Sequence, residues 1–235
     1  MNFSKRIKAI LIFLFLFFVM ILLPYIPLWV LRINVDNLSQ NIKMWYAFFC
    51  DILMIVITFL IFKKDTINDF KKYFKNFYDN FETSFKYYLV GLGIMLISNL
   101  IISFCFKGAT ASNEEAIRSL ITQFPIYMIF SVAIYAPFIE ETIFRKCIKN
   151  IVLANKDTKF NKYLYIAISG FIFAILHIVG AAEAAIDYVY IVPYLGLGCA
   201  FAALYYKTDN IFSTIIMHAL HNTAAIILYF ALSIV

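Results

Sequence analysis

Ala136-Pro137-Phe138-Ile139-Glu140-Glu141-Thr142-Ile143-Phe144-Arg145 is the stretch on which the reading of this chain turns. Two adjacent carboxylates stand in apolar sequence with an arginine one helical turn later, and from Phe124 to Phe138 there is no Asp, Glu, Lys, Arg or His. In a water-soluble protein such a pair is a solvated face. Inside a membrane-length apolar segment an ionisable side chain costs from ~2.5 kcal/mol upward, so it reads as a functional site whose partner has to be found.

The surrounding sequence decides between the two. Of 235 residues, 63% are hydrophobic, 19% aromatic and only 14% charged, and the mean hydropathy is +0.84. Soluble domains carry roughly a quarter charged residues. Apolar runs at 9–31, 44–62, 87–106, 124–144, 163–180, 188–206 and 211–233 approach the ~20 residues that a membrane helix needs. The pattern predicts an all-α, polytopic transmembrane helix bundle of about seven to eight spans, enclosing a polar cavity within the bilayer. It predicts one membrane domain, with N-terminal helices and a cytoplasmic amphipathic loop over 1–123 and a core over 124–235 that holds the two carboxylates. The first run is too long for a signal peptide and lacks a small-residue cleavage site, while Pro24 and Pro27 bend its far end.

Charge gives the orientation. With the N-terminus inside, sixteen Lys and Arg fall in the N-terminal tail, the segments 63–86 and 145–162 and at Lys207, against four outside, Arg32, Lys43, Lys107 and Arg118. This asymmetry predicts a cytoplasmic N-terminus. It also accounts for the net charge of +6 without a nucleic-acid partner, for which there is no motif. Aromatics among lysines over Asp69-Phe70-Lys71-Lys72-Tyr73-Phe74-Lys75-Asn76-Phe77-Tyr78 fit an interfacial helix on an anionic leaflet, or a plain basic loop. Cys50, Cys105, Cys147 and Cys199 lack metal or redox spacing and read as packing residues. Gly91, Gly93, Ser169, Gly170, Gly196, Gly198, Ala200, Ala202 and Ala203 mark places where helices approach closely. Asp36, Glu114, Glu115, Glu183 and Asp187 read as solvated loop charges, and Asp51 and Asn99 as polar groups within spans.

The chain has three histidines, His177, His218 and His221, and all three fall in predicted spans. They are the natural partners of buried carboxylates. On a helix, Glu141 and Arg145 share a face while Glu140 is rotated by about 100° and faces elsewhere. Pro137 removes a backbone hydrogen bond just before them. Phe173 and His177 lie on one stripe; His218, His221 and Asn222 share another. Such a set permits hydrolysis, in which Glu takes a proton from water, His shares that activation, and His with Asn stabilises an oxyanion. A zinc ion held by Glu140, His177 and His218 and a metal-free glutamate mechanism are both compatible with these residues. The His-Glu-x-x-His helix of soluble zinc proteases is absent.

Taken together, Glu140-Glu141-x-x-x-Arg145, Phe173-x-x-x-His177 and His218-x-x-x-Asn222 resemble, in order and spacing, the motifs of the CPBP intramembrane proteases, a family that includes CAAX prenyl proteases and the Abi bacteriocin-processing and immunity proteins. The resemblance covers about 124–225. It implies an endopeptidase in which Glu140 and His177 activate water, His218 and Asn222 stabilise the oxyanion, and Glu141 with Arg145 orders the site; His221 matches no catalytic position. The implied partners are membrane lipid and a small peptide or lipidated protein substrate. A composition rich in Lys, Asn, Ile, Phe and Tyr points to an A+T-rich bacterial genome. Two other classes compete: a non-enzymatic immunity or scaffold protein, and a transporter relaying protons through Glu and His. One tension remains in the spans: from an edge at Tyr163, His177 would lie ~21 Å deep, but from Ile211, His218 only ~10 Å.

Overall fold

The structure is a computed structural model that describes residues 3–106, 111–154, 157–179 and 182–233. Lys107 and Lys156, counted in the charge asymmetry, lie outside these residues. Every regular element among them is helical. We number the main ones α1 (Phe3–Leu22), α2 (Gln40–Lys75), α3 (Phe77–Cys105), α4 (Ser112–Gln123), α5 (Pro125–Val152), α6 (Lys159–Val179), α7 (Ile191–Thr208) and α8 (Ile211–Ser233).

Six of these segments are long and apolar enough to cross a membrane: α2, α3, α5, α6, α7 with the turn before it from Ala185, and α8. This differs from the seven to eight spans predicted, and the difference lies at the N-terminus. The run 9–31 is not one helix: α1 stops at Leu22, and a separate turn of helix, Ile26–Val30, follows with proline in its first turn. Lys5, Arg6 and Lys8 occupy the start of α1, so its uncharged part is short. It nevertheless lies beside α2 over much of its length. Lys5 and Lys8 border the same groove as Asp65 and Lys149, and at the other end the Tyr46 hydroxyl donates to the Pro24 carbonyl at 3.0 Å.

The segment 63–86 is neither a loop nor a separate interfacial helix. Helix α2 bends at Phe62, where φ and ψ leave the helical region (−107°, 17°), and continues to Lys75; after Asn76 the chain re-enters helix as α3. The bend lets the second part of α2 lie under the start of α8. There the Asp69 carbonyl accepts from Asn210 Nδ2 (2.8 Å), and the Asp69 carboxylate accepts from Ile211 N (3.3 Å). Helix α7 ends at Asp209, which takes a left-handed conformation (φ 47°) open to Asp at low cost, and α8 starts two residues later.

Small residues set the packing of α7 between α3 and α6. A Cβ on Gly170 would lie 2.4 Å from Cys199 Sγ and 2.9 Å from Cys199 N, and one on Gly91 would lie 2.7 Å from Ala200 Cβ. Gly93 is different, since a Cβ there would meet nothing within 4 Å. Cys50 and Cys147 are buried and all four thiols are free.

The depth conflict between His177 and His218 is resolved by where their helices begin. Helix α6 starts at Lys159, with exposed Lys159 and Phe160 projecting beyond the bundle. Helix α8 starts inside it, with Asn210 and Ile211 only 7% and 2% exposed. Equal counts from the two helix ends are therefore unequal depths.

Asp187 corrects another expectation, being buried rather than solvated. It accepts from Ser112 N and Oγ and from the backbone N–H groups of Glu183 and Ala184, at 2.9–3.0 Å. One carboxylate thereby joins the start of α4 to the turn before α7. Asp36, Glu114, Glu115 and Glu183 are exposed, as expected.

Candidate active site

Helix α5 places the two glutamates between two π-helical turns, Ser131–Tyr135 and Thr142–Cys147. Such turns widen the helix by one residue and recur at functional sites. The first has a cause in the sequence. Ala136 N–H bonds to Ser131 O, five residues back, and residue 137 is proline. The Val132 carbonyl loses its ordinary partner, Ala136, to Ser131, and the residue five ahead of it has no N–H to give. It bonds instead to the Asn222 amide, Nδ2 to O at 2.7 Å. Pro137 therefore does more than bend the span: it exposes the carbonyl that orients a side chain on α8.

Glu141 and Arg145 pair as their spacing predicts, and both are fully buried. Arg145 Nε donates to Glu141 Oε2 (2.9 Å), and Nη2 reaches Oε1 at 3.4 Å. The guanidinium also donates from Nη1 to the carbonyl and hydroxyl of Ser169, at 3.2 and 3.1 Å. Ser169 in turn donates to the Phe144 carbonyl within the second π turn (2.6 Å). Sequence reasoning had marked Ser169 as a small packing residue. Nothing in the local spacing identifies it as the second anchor of Arg145, since the contact joins α5 to α6.

The third partner of Glu141 comes from α8: His218 Nδ1 lies 2.9 Å from Glu141 Oε1. Both carboxylate oxygens already accept from Arg145, so Nδ1 carries the proton and donates. Phe173 separates this cluster from the second one. Its ring lies under the Arg145 guanidinium (4.6 Å), edge-on to His218 (5.9 Å) and against His177 (4.3 Å).

Beyond that ring lie Glu140 and His177. His177 Nδ1 donates to the Phe173 carbonyl one turn back (2.8 Å), which leaves Nε2 as an acceptor. The Tyr194 ring closes its other face at 4.8 Å. His177 Nε2 faces Glu140 Oε2 at 3.8 Å. That oxygen is buried and has no hydrogen-bond partner among the described residues, an arrangement that calls for an explanation wherever it occurs. Two acceptors facing one another at this separation fit a water molecule that donates one O–H to each.

The six predicted residues thus occupy one locus in two adjoining clusters: Glu141, Arg145 and His218 on one side of Phe173, and Glu140 with His177 on the other. Asn222 lies one turn along α8 from His218. His221 points away, toward the Tyr88 hydroxyl (3.4 Å). The zinc set Glu140, His177 and His218 does not gather. Among the described residues no three His, Cys, Asp or Glu side chains come together at metal-binding spacing. The donor geometry therefore does not fit a three-ligand metal site.

Comparison with known proteins bears on what this geometry serves. Residues 122–224 match the model of the type II CAAX prenyl endopeptidase Rce1-like family. YdiL of Bacillus subtilis (strain 168), which bears the name of a membrane peptidase, is 27% identical over 200 residues, 82% of this chain and 74% of that protein. The membrane-embedded CAAX protease MroQ of Staphylococcus aureus (strain USA300) is 29% identical over 148 residues, 59% of this chain and 56% of its own. No solved structure matches. The matched region holds α5, α6 and α8 up to Asn222, which together carry every residue of the two clusters, and these likenesses support a CPBP-type intramembrane protease.

Proposed function

We propose that the protein is an endopeptidase that hydrolyses a peptide bond in a small membrane-associated or lipidated peptide, using a water activated by Glu140 and His177. The observation that supports this most is the pair of facing acceptors, Glu140 Oε2 and His177 Nε2, 3.8 Å apart with the carboxylate oxygen otherwise unpartnered among the described residues. A water between them presents its lone pairs to a substrate carbonyl. As it attacks, Glu140 takes a proton from it, and the carbonyl oxygen becomes an oxyanion. Collapse breaks the C–N bond, and Glu140 returns the proton to the leaving nitrogen.

The oxyanion is held by His218 and Asn222. Asn222 has one amide hydrogen on Val132 O and keeps the second for substrate. His218 can donate from Nε2 only when it is doubly protonated, because Nδ1 is committed to Glu141. A donor aimed at the carbonyl oxygen gains strength as that oxygen takes on negative charge. The attraction therefore grows toward the transition state. On this reading Glu141 and Arg145 position His218 without touching substrate.

The basic end of the bundle faces the cytoplasm of a bacterial cell membrane. Lys5, Lys8 and Lys149 border one groove there, with Lys146 on Asp65 and Lys162 over Tyr206 at the same end, and the general excess of positive charge on the inner side supports this orientation. The test is cleavage of hydrophobic and lipidated peptides by purified protein in lipid, comparing wild type with Glu140→Gln, with and without a strong chelator. Cleavage should disappear in Glu140→Gln and be indifferent to the chelator. Full cleavage by Glu140→Gln would overturn the assignment, and loss on chelation would replace it with a metal-dependent one.

A further inference from the structure

Asp51 is a carboxyl group at membrane depth that the mechanism above does not use. It lies within the apolar part of α2 and is 9% exposed. An ionisable residue there is costly and calls for a named partner. Asp51 has two, both on α5: Ser131, whose hydroxyl donates to Asp51 Oδ2 at 3.1 Å, and the Tyr127 hydroxyl.

The choice of Ser131 is unusual. Serine and threonine inside helices commonly bond back to the carbonyl four residues earlier. Ser84, Ser98, Thr142 and Thr208 all do so here. Ser131 turns outward to another helix instead. It opens the π turn of α5, its carbonyl takes the Ala136 N–H, and the next carbonyl, Val132, holds Asn222. The bond to Asp51 and the bond from Asn222 thus pin consecutive residues of one widened turn, from α2 on one side and α8 on the other.

We propose that Asp51 is a positioning residue for hydrolysis: through Ser131 it fixes the π turn so that the Val132 carbonyl aims the Asn222 amide at the oxyanion. The inference rests on the oxyanion role given to Asn222 above. It assigns a function to a residue outside the three motifs, on a helix outside the region matched by the family. Acceptance of the Ser131 proton requires only an oxygen, so asparagine at position 51 keeps the device and alanine removes it.

The experiment is a double-mutant cycle on a lipidated peptide that the wild type cleaves, with kcat, KM and thermal stability measured for Asp51→Ala, Asp51→Asn, Asn222→Ala and the Asp51→Ala/Asn222→Ala pair. Loss of an oxyanion donor lowers kcat by ~10²–10³-fold, and misplacing one lowers it by up to ~10²-fold. Asp51→Ala should therefore reduce kcat by ~10-fold or more and leave KM within about two-fold, while Asp51→Asn restores most of the rate. In the Asn222→Ala background, Asp51→Ala should cost nothing further, because two changes acting through one contact are not additive. If Asp51→Ala does not fold, Asp51→Asn/Ser131→Ala breaks the same bond and should show the same pattern. Unchanged kcat in Asp51→Ala, or a loss that multiplies with that of Asn222→Ala, would overturn the proposal while leaving the oxyanion role intact. Wild-type kcat in Asn222→Ala would instead overturn the oxyanion role itself, and this inference with it.

Discussion

Arg145→Met removes a buried side chain that makes four hydrogen bonds. The guanidinium is fully buried, donates twice to Glu141 and twice to Ser169, and lies 4.6 Å from the centre of the Phe173 ring. Methionine keeps much of the volume and removes every donor. The Glu141 carboxylate is then left at zero exposure with the His218 ring as its remaining partner. Breaking a buried pair by removing one partner costs ~3–5 kcal/mol, chiefly for the charge left behind. The stranded Ser169 carbonyl puts the expected loss at the upper end, ~5 kcal/mol, against a total stability of ~5–15 kcal/mol. Glu141→Gln/Arg145→Met should recover most of that loss, because neither charge remains to be compensated. Arg145→Lys should fall between the two, since a single ammonium cannot reproduce the fork. The assay is SDS titration in mixed micelles followed by far-UV circular dichroism, with peptide cleavage measured in parallel. The double variant should be folded yet slow, because the carboxylate that positions His218 is gone. A loss under ~1 kcal/mol for Arg145→Met, or a double variant no more stable than the single, would refute the view that this pair is held together by mutual charge compensation.

Four further outcomes follow from the packing and the caps. Gly170→Ala forces a Cβ against the sulfur and backbone of Cys199 and should cost ~1–3 kcal/mol in the same titration. Gly93→Ala, with open space at its Cβ, should be neutral or stabilising by up to ~1 kcal/mol. Asp69→Ala removes the carboxylate on Ile211 N and one of two partners of the buried Lys146; it should destabilise by ~1–2 kcal/mol while leaving KM unchanged. Ser169→Ala takes the hydroxyl but not the carbonyl from Arg145, so a loss of ~1–2 kcal/mol with kcat reduced only a few-fold is expected.

What could be read in advance follows from which interactions are local. The apolar runs could be located because a membrane allows a spanning chain few choices but a helix of about twenty residues. The pairing of Glu141 with Arg145 and the divergence of Glu140 follow from the 100° step between helix residues. The ends of the elements were less legible. Lys63 and Lys64 looked like the start of a loop, yet helix continues through them because the bend at Phe62 carries the second half of α2 beneath α8. Asp187 looked solvated, and its four donors come from two separate segments. Pro137 was legible as a break, but its consequence, an orphaned Val132 carbonyl, shows only once the partner on α8 is in place.

By itself, then, the sequence determined the class of molecule, the identity of the charged and imidazole side chains that must find one another, and the family motifs they form. Burial of ionisable groups in apolar sequence is costly enough that their presence alone declares a site. Only the tertiary structure decided the pairing: Glu141 with His218 and Glu140 with His177, on opposite sides of Phe173, with Ser169, Asp51 and the Val132 carbonyl as supports. Those contacts join helices that lie far apart in the chain. Their register depends on where each helix begins, how α2 bends and how closely α7 approaches α6, and none of these is fixed by the residues of a single helix.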